Sequence, residues 1–233
     1  MNRQASRIVD RVSYRLATAT SQQRRRIVSR FHRLYYYEGE RTWANTSWLG
    51  ARAQKCPLDL WVYQEILHET RPDLIVETGT ADGGSALFLA SILDLLGNGR
   101  VITIDVEARA ARPQHERIEY VTASSTAPEI VAQVQAVAAR AGSVMAILDS
   151  DHSREHVLAE LRAYGDLVTP GNYLVVEDTN LGGHPIWPDF GPGPMAAARE
   201  FLAERTDFAL DPQREKFGLT FNPNGFLRKT VPV

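Results

Sequence analysis

From residue 71 onward the chain alternates short apolar runs with helical stretches. DLIVETGT (73–80) is an apolar run that closes on a glycine loop, and the helical GSALFLASILDLLG (84–97) follows it. RVITIDV (100–106) leads into the irregular EARAARPQHER, and IEYVTAS (118–124) precedes a helix through APEIVAQVQAVAARAG. VMAILDS (144–150) precedes SREHVLAELRAYGDL, and YLVVEDT (173–179) is a further run. Short β-branched runs alternating with helices predict an α/β fold, a parallel sheet covered on both faces. Upstream, PLDLWVYQEILHET (57–70) predicts a helix opening at Pro57, with Leu60, Tyr63 and Ile66 on one face.

The two ends of the chain read differently. In residues 1–40, Ile8, Val12 and Leu16, and then Ile27, Phe31 and Tyr35, recur at helical spacing among nine arginines. This predicts an amphipathic arm that packs on its own domain or on a second subunit; a membrane surface or acidic partner is the sharper alternative. TWANTSWLG (42–50) is polar and aromatic and reads as a loop. NLGGHPIWPDFGPGP (180–194) is too long and too rich in Gly and Pro for an ordinary connection. A helix from Met195 to Glu204 follows, then tail strands with a turn near Asn222–Gly225. The expected division is an N-terminal helical arm with lid or oligomerisation segment, 1–56, and a catalytic domain, 57–233.

Composition narrows this picture only a little. A net charge of −2 gives no general pull toward nucleic acid, and the lone Cys56 excludes internal disulfides and cysteine-rich zinc sites. No apolar run approaches the roughly 18 residues of a membrane span. The arginine-rich start has no secretory h-region, so the expected location is the cytoplasm.

The candidate chemistry sits at the ends of the apolar runs. In an open α/β sheet, ligands bind at the carboxyl ends of the strands, near the reversal of strand order. ETGTADGGS occupies such a position, with Gly79 for a tight turn and Gly83 and Gly84 for close approach of a ligand to the next helix. Asp105 ends the second run, where a carboxylate can accept both hydroxyls of a ribose. A nicotinamide dinucleotide and S-adenosylmethionine both fit. The G-x-G-x-x-G fingerprint is absent, and Glu77 before the loop would oppose a pyrophosphate but could hold a methionine amino group, which favours S-adenosylmethionine. The bland alternative is that these glycines only cap and turn.

Asp149 ends the fourth run, and Glu177 and Asp178 end the fifth. Adjacent strands lie about 4.8 Å apart, so these carboxylates would crowd and repel unless a hard divalent cation joined them. His152, three residues after Asp149, could take a proton from a substrate hydroxyl. Asp151 and Ser153 read as helix-capping residues and His156 as structural or solvated. An iron site of His152, His156 and Asp149 can also be drawn, but it ignores Glu177 and Asp178.

LDLWVYQEIL, VETGTADGGSALFLASIL, AILDSDHSREHVLAELR, NYLVVEDTN, GHP…FGPGP and KFGLTFNPNGFL together resemble the cephalosporin hydroxylase/rhamnosyl O-methyltransferase family, from about residue 35 to 229. The resemblance implies a Rossmann-like class I methyltransferase fold with a mostly parallel seven-stranded sheet. It implies S-adenosylmethionine and Mg²⁺ as cofactors and a hydroxyl of a sugar, glycolipid or antibiotic nucleus as methyl acceptor. Asp149, Glu177 and Asp178 would be the metal ligands, and His152 with Asp149 the catalytic pair. Glu77, Thr78, Gly79, Gly83, Gly84, Ser85, Asp105, Ser124, Ser125 and Asp149 would hold the cofactor. The N-terminal arm would build a homo-oligomer, and the loops around Trp43, His184 and Trp187 would cover the acceptor. The rivals are an oxygenase or nicotinamide enzyme of natural-product tailoring, and a non-catalytic S-adenosylmethionine-binding subunit.

Overall fold

The computed structural model describes residues 20–39 and 41–230, so the periodic segment through Ile8, Val12 and Leu16 lies outside the described residues. In chain order the elements are helix α1 (Ser21–Tyr37), a hairpin of β1 (Ser47–Trp48) and β2 (Ala51–Arg52), then α2 (Pro57–Thr70) and β3 (Leu74–Thr78). Next come α3 (Gly84–Leu96), β4 (Arg100–Asp105), β5 (Ile118–Thr122), α4 (Pro128–Ala138), β6 (Val144–Leu148) and α5 (Arg154–Tyr164). The chain closes with β7 (Tyr173–Val176), α6 (Pro194–Glu204), β8 (Phe208–Leu210) and β9 (Phe226–Lys229). Pro57 opens α2 in its first turn, where a missing N–H costs no hydrogen bond. Thr20 and Gln23 close the start of α1 with a reciprocal capping box.

The sheet has seven strands in the order β5-β4-β3-β6-β7-β9-β8. The first five run parallel, and β9 lies antiparallel to both β7 and β8. Strand order reverses between β3 and β6, which opens a crevice at their carboxyl ends. Because side chains alternate across a strand, each apolar run feeds two cores. Val76, Ala146, Leu148 and Val176 pack with Val134, Leu161 and Phe201 of α4, α5 and α6. Ile75, Met145, Ile147 and Val175 pack on the other side with Ile66, Leu67, Phe88 and Leu93 of α2 and α3. Both faces are covered, as the uninterrupted apolar runs predict.

Within α1 the stripe Ile27–Phe31–Tyr35 is divided: Ile27 and Phe31 remain 48% and 50% exposed. Helix α1 docks instead through buried His32, with Tyr35 and Tyr36, on a small cluster that includes Cys56, Leu219 and Phe221. Across residue 56 the hairpin's Trp48 sits edge-on to Phe88 of α3, and Lys55 reaches the strand ends.

A candidate active site at the carboxyl ends of the parallel strands

Register brings the site together. Thr78 pairs with Leu148 and Leu148 with Val176, so Gly79, Asp149 and Glu177 leave the sheet side by side. A Cβ on Gly79 would lie 1.9 Å from the carbonyl oxygen of Asp149, and its φ is +83°. Only glycine permits both the turn and the approach. Above these ends lies a cleft of about 640 Å³. Its inner wall includes Gly79, Asp105, Ser124, Asp149, His152 and Asp178. Its outer wall is aromatic, with Tyr36, Trp43, Trp187 and Phe190.

Asp149, His152 and Asp178 each offer a ligand atom, all within 4.8 Å of one another. Nε2 of His152 lies 3.2 Å from Oδ2 of Asp178. The side chains of Asp149, Asp178 and His152 are 21%, 25% and 27% exposed, so a ligand can reach them. Glu177, the third expected ligand, stands deeper than Asp149 and Asp178. Its side chain is 3% exposed, and its Oε1 accepts from Lys55 Nζ at 2.8 Å and from the Tyr63 hydroxyl. Lys55 Nζ also donates to Oδ2 of Asp149 at 2.5 Å.

Burial raises the pKa of Asp149, Glu177 and Asp178, because a carboxylate loses solvation there. Burial would lower that of Lys55, but Asp149 and Glu177 more than reverse this and keep it an ammonium. Three carboxylates less one ammonium leave two negative charges. One divalent cation offsets that number, and the partly open oxygens of Asp149 and Asp178 are the hard donors such an ion takes. The residues present therefore fit the group. Asp178 also sits at φ +54°, its N–H bonded to Oδ1 of Asn222 at 3.0 Å. A non-glycine residue in this left-handed region stores on the order of 1 kcal/mol or more, a cost met where neighbours over-determine the geometry.

His156 does not join the cluster. Its Nε2 lies 3.2 Å from Ser125 Oγ and 3.4 Å from Oε1 of Glu160, which raises its pKa through the carboxylate bond. The iron triad of His152, His156 and Asp149 is thereby not assembled. Ser153 caps α5 and Asp151 accepts from the Ser153 N–H at 2.7 Å, as their capping roles predict.

Several residues expected to hold the cofactor make contacts within the fold. Glu77 is 1% exposed and does not line the cleft; its Oε2 accepts from Thr103 Oγ1 across the sheet at 2.6 Å. Burial pushes its pKa up to about 7, with Lys55 opposing. It sits below the loop because residue 77 still belongs to β3 and points to the α2/α3 side. Thr78 is fully buried and accepts from the Asp149 N–H. Gly84 makes room for chain rather than ligand, since a Cβ there would lie 2.3 Å from the Arg52 carbonyl oxygen. Gly83, at φ +81°, faces Pro113 and Tyr120. Ser85, Ser124 and Ser125 do line the cleft, as does Asp105. Asp105 accepts from the N–H groups of Ala81 and Glu107 at 2.8 and 2.9 Å, with Arg112 3.1 Å away.

The outer wall is knitted to α1. Tyr36 and Trp43 stack with ring centroids 5.2 Å apart, and Trp187 packs 5.5 Å from Phe190. The Trp187 N–H donates to the Tyr37 hydroxyl at 2.7 Å, tying the Gly/Pro loop to the helix. His184 stands outside the cleft lining. Sequence reasoning missed Lys55, Tyr63 and Tyr36. The only signal for Lys55 is a single charge inside the otherwise neutral AQKCPL.

The family model described as Rhamnosyl O-methyltransferase/CmcI matches residues 40–230. The chain is 43% identical over 208 residues to the rhamnosyl O-methyltransferase of Mycobacterium tuberculosis strain H37Rv, covering 86% of this chain and 84% of that one. It is 42% identical over 207 residues to the Mycobacterium leprae protein of the same name, covering 86% and 90%. Among solved structures, a CmcI structure described as its Mg–SAM form shares the fold at TM-score 0.64 and 23% identity, over 81% of this chain and 78% of that one. The O-methyltransferase TomG from Streptomyces achromogenes, in complex with SAM, does so at 0.50 and 19%, over 94% and 95%.

Proposed function

Because this chain belongs to the rhamnosyl O-methyltransferase/CmcI family, we propose that it methylates a sugar hydroxyl, on a rhamnosyl unit, using S-adenosylmethionine and a divalent cation. The observation that carries the reading is the convergence of Asp149, Asp178 and His152 on the floor of a cleft whose far wall is aromatic. A rhamnosyl acceptor is favoured because the relatives named rhamnosyl O-methyltransferase are 43% identical over most of both chains. Tyr36, Trp43 and Trp187 offer flat faces to a sugar ring.

Asp105 would accept the ribose hydroxyls of the cofactor, and Gly79, Ser124 and Ser125 would border the nucleoside. Asp149 and Asp178 would hold Mg²⁺ or a similar hard ion, which when bound supplies positive charge that lowers the pKa of the acceptor hydroxyl. Lys55 and Tyr63 keep Glu177 fixed behind them. His152 would take the proton of the acceptor hydroxyl. Bound S-adenosylmethionine would supply the methyl to that oxygen and depart as S-adenosylhomocysteine, the methyl–sulfur electron pair staying on sulfur. Asp178 stabilises the imidazolium so formed, 3.2 Å from Nε2. Holding oxygen and methyl in line is worth several kcal/mol of the barrier.

The test is transfer of labelled methyl from S-adenosylmethionine to rhamnosyl glycosides, with Mg²⁺ and with EDTA, for the native chain and His152→Gln. Transfer abolished by EDTA and reduced roughly 10²–10⁴-fold by the substitution is expected. Transfer indifferent to EDTA sinks the metal assignment. Full activity in His152→Gln removes the base.

A further inference from the structure

Helix α1 carries a second surface that the cleft does not use. Its 17 residues include five arginines and no aspartate or glutamate, in a chain of net charge −2. At about 100° per residue, Val28, His32, Tyr35 and Tyr36 share the side facing the body. His32 is 3% exposed there and stacks on Phe221. Next to Tyr35 the apolar Phe31 turns outward, followed round the helix by Ile27 and Leu34, 50%, 48% and 51% exposed, and then by Arg26, Arg30 and Arg33 on the far side. A shallow groove of about 290 Å³ runs between Arg25, Arg26, Arg30 and Arg33. The outward face is thus half apolar and half cationic along its length. The helix also precedes residue 40, where the family match begins.

We propose that this face of α1 seats the protein on an anionic lipid bilayer, with Ile27, Phe31 and Leu34 in the headgroup–acyl boundary and the arginines on lipid phosphates. Charge decides between occupants. A second copy across a two-fold axis would set the same arginines against one another, and like charges in contact repel. A bilayer with anionic headgroups accepts both halves of the face at once, the pattern of an interfacial helix that lies on a membrane without crossing it. Among the described residues no helix is long and apolar enough to cross one. The helix ends at the cleft: Tyr36 lines it and Tyr37 holds the Trp187 loop. Seating α1 on a surface therefore turns the cleft mouth toward acceptors displayed there. The proposal does not depend on the rhamnosyl assignment, since vesicle binding and methyl transfer are read separately.

The test is co-sedimentation of the full chain with vesicles of phosphatidylcholine alone and of phosphatidylcholine with phosphatidylglycerol, at low and high salt, alongside light scattering. The native chain is expected to bind the anionic vesicles and to release them at high salt. Arg26→Glu with Arg30→Glu and Arg33→Glu should weaken binding on the order of 100-fold, from about fivefold per arginine. Phe31→Ser with Leu34→Ser should weaken it too, while both variants keep the native melting temperature and affinity for S-adenosylhomocysteine. Equal binding to neutral and anionic vesicles, or none to either, overturns the proposal. So does tighter binding to an RNA oligonucleotide, or a dimer that Leu34→Ser dissociates.

Discussion

The two walls of the cleft are built by opposite means. On the inner wall, sheet register sets charged groups at strand ends, and each is answered by another: Asp149 by Lys55, Glu177 by Lys55 and Tyr63, Asp178 by His152 and Asn222. The outer wall is a set of rings on a helix and two loops, touching mainly each other, with Trp187 half exposed. Reacting atoms must be placed to fractions of an ångström, which a register-locked sheet can do. Acceptor choice needs a surface that varies without disturbing that placement, which loops can provide. The contrast predicts that damage to the inner wall removes chemistry or stability outright, whereas damage to the cover loosens it by degrees.

The sharpest way to break this contrast is Asp149→Asn. It should lower methyl transfer on the order of 10³-fold or more, because the cation contributes several kcal/mol of charge stabilisation. Calorimetry should show Mg²⁺ binding lost and S-adenosylhomocysteine binding kept within a few-fold; loss of both would mean that cofactor and cation share one site. Next comes Lys55→Met, which leaves Glu177 and Asp149 buried without their ammonium. Removing one partner of a buried ion pair costs about 3–5 kcal/mol. A lower denaturation midpoint is expected, with the largest drop in EDTA, and an unchanged midpoint would show that Lys55 only fills space.

The cover gives the smallest effect, and it follows pH. Burial pushes His32 from 6.5 down to about 4. Between those values the unfolded chain takes a proton there that the native chain refuses, so stability is full above about 6.5 and falls as pH drops toward 4. The share is on the order of 3 kcal/mol. Urea denaturation at several pH values should show His32→Phe flatter than the native protein across that window, and parallel curves would count against it.

Much of the inner wall was legible in the sequence, for a reason its residues make plain. Asp149, Glu177 and Asp178 each follow an apolar run, and parallel strands of similar length end at one level. Glu77 follows the same rule, but it stands one residue inside β3 and hydrogen-bonds to its cross-strand partner Thr103. Glu177 shows the same limit from the other direction: its place at the strand end was readable, but not the turn of its carboxylate toward Tyr63. Lys55 was invisible because it meets Asp149 across 94 positions of chain, with no periodicity to announce it. The docked side of α1 could not be read from spacing either. Helical spacing says that Ile27 and Phe31 share a side, but not that a stacked histidine takes the side facing the body.

The short stretch Thr220–Asn222 bears on how the molecule comes into being. Phe221 stacks on His32 and gives its N–H to Asp59 at 2.8 Å, while Asn222 holds the backbone of Asp178 and Asn180 donates to the Phe221 carbonyl. One late segment thus joins the first helix, the second helix and the last parallel strand. On the ribosome, a nascent chain that has completed all five parallel strands still lacks the clamp on Asp178 and the seat of α1. Sheet and strand-end cluster are therefore separated in time: the scaffold can assemble early, but the cluster is finished only once residues 220–222 have emerged.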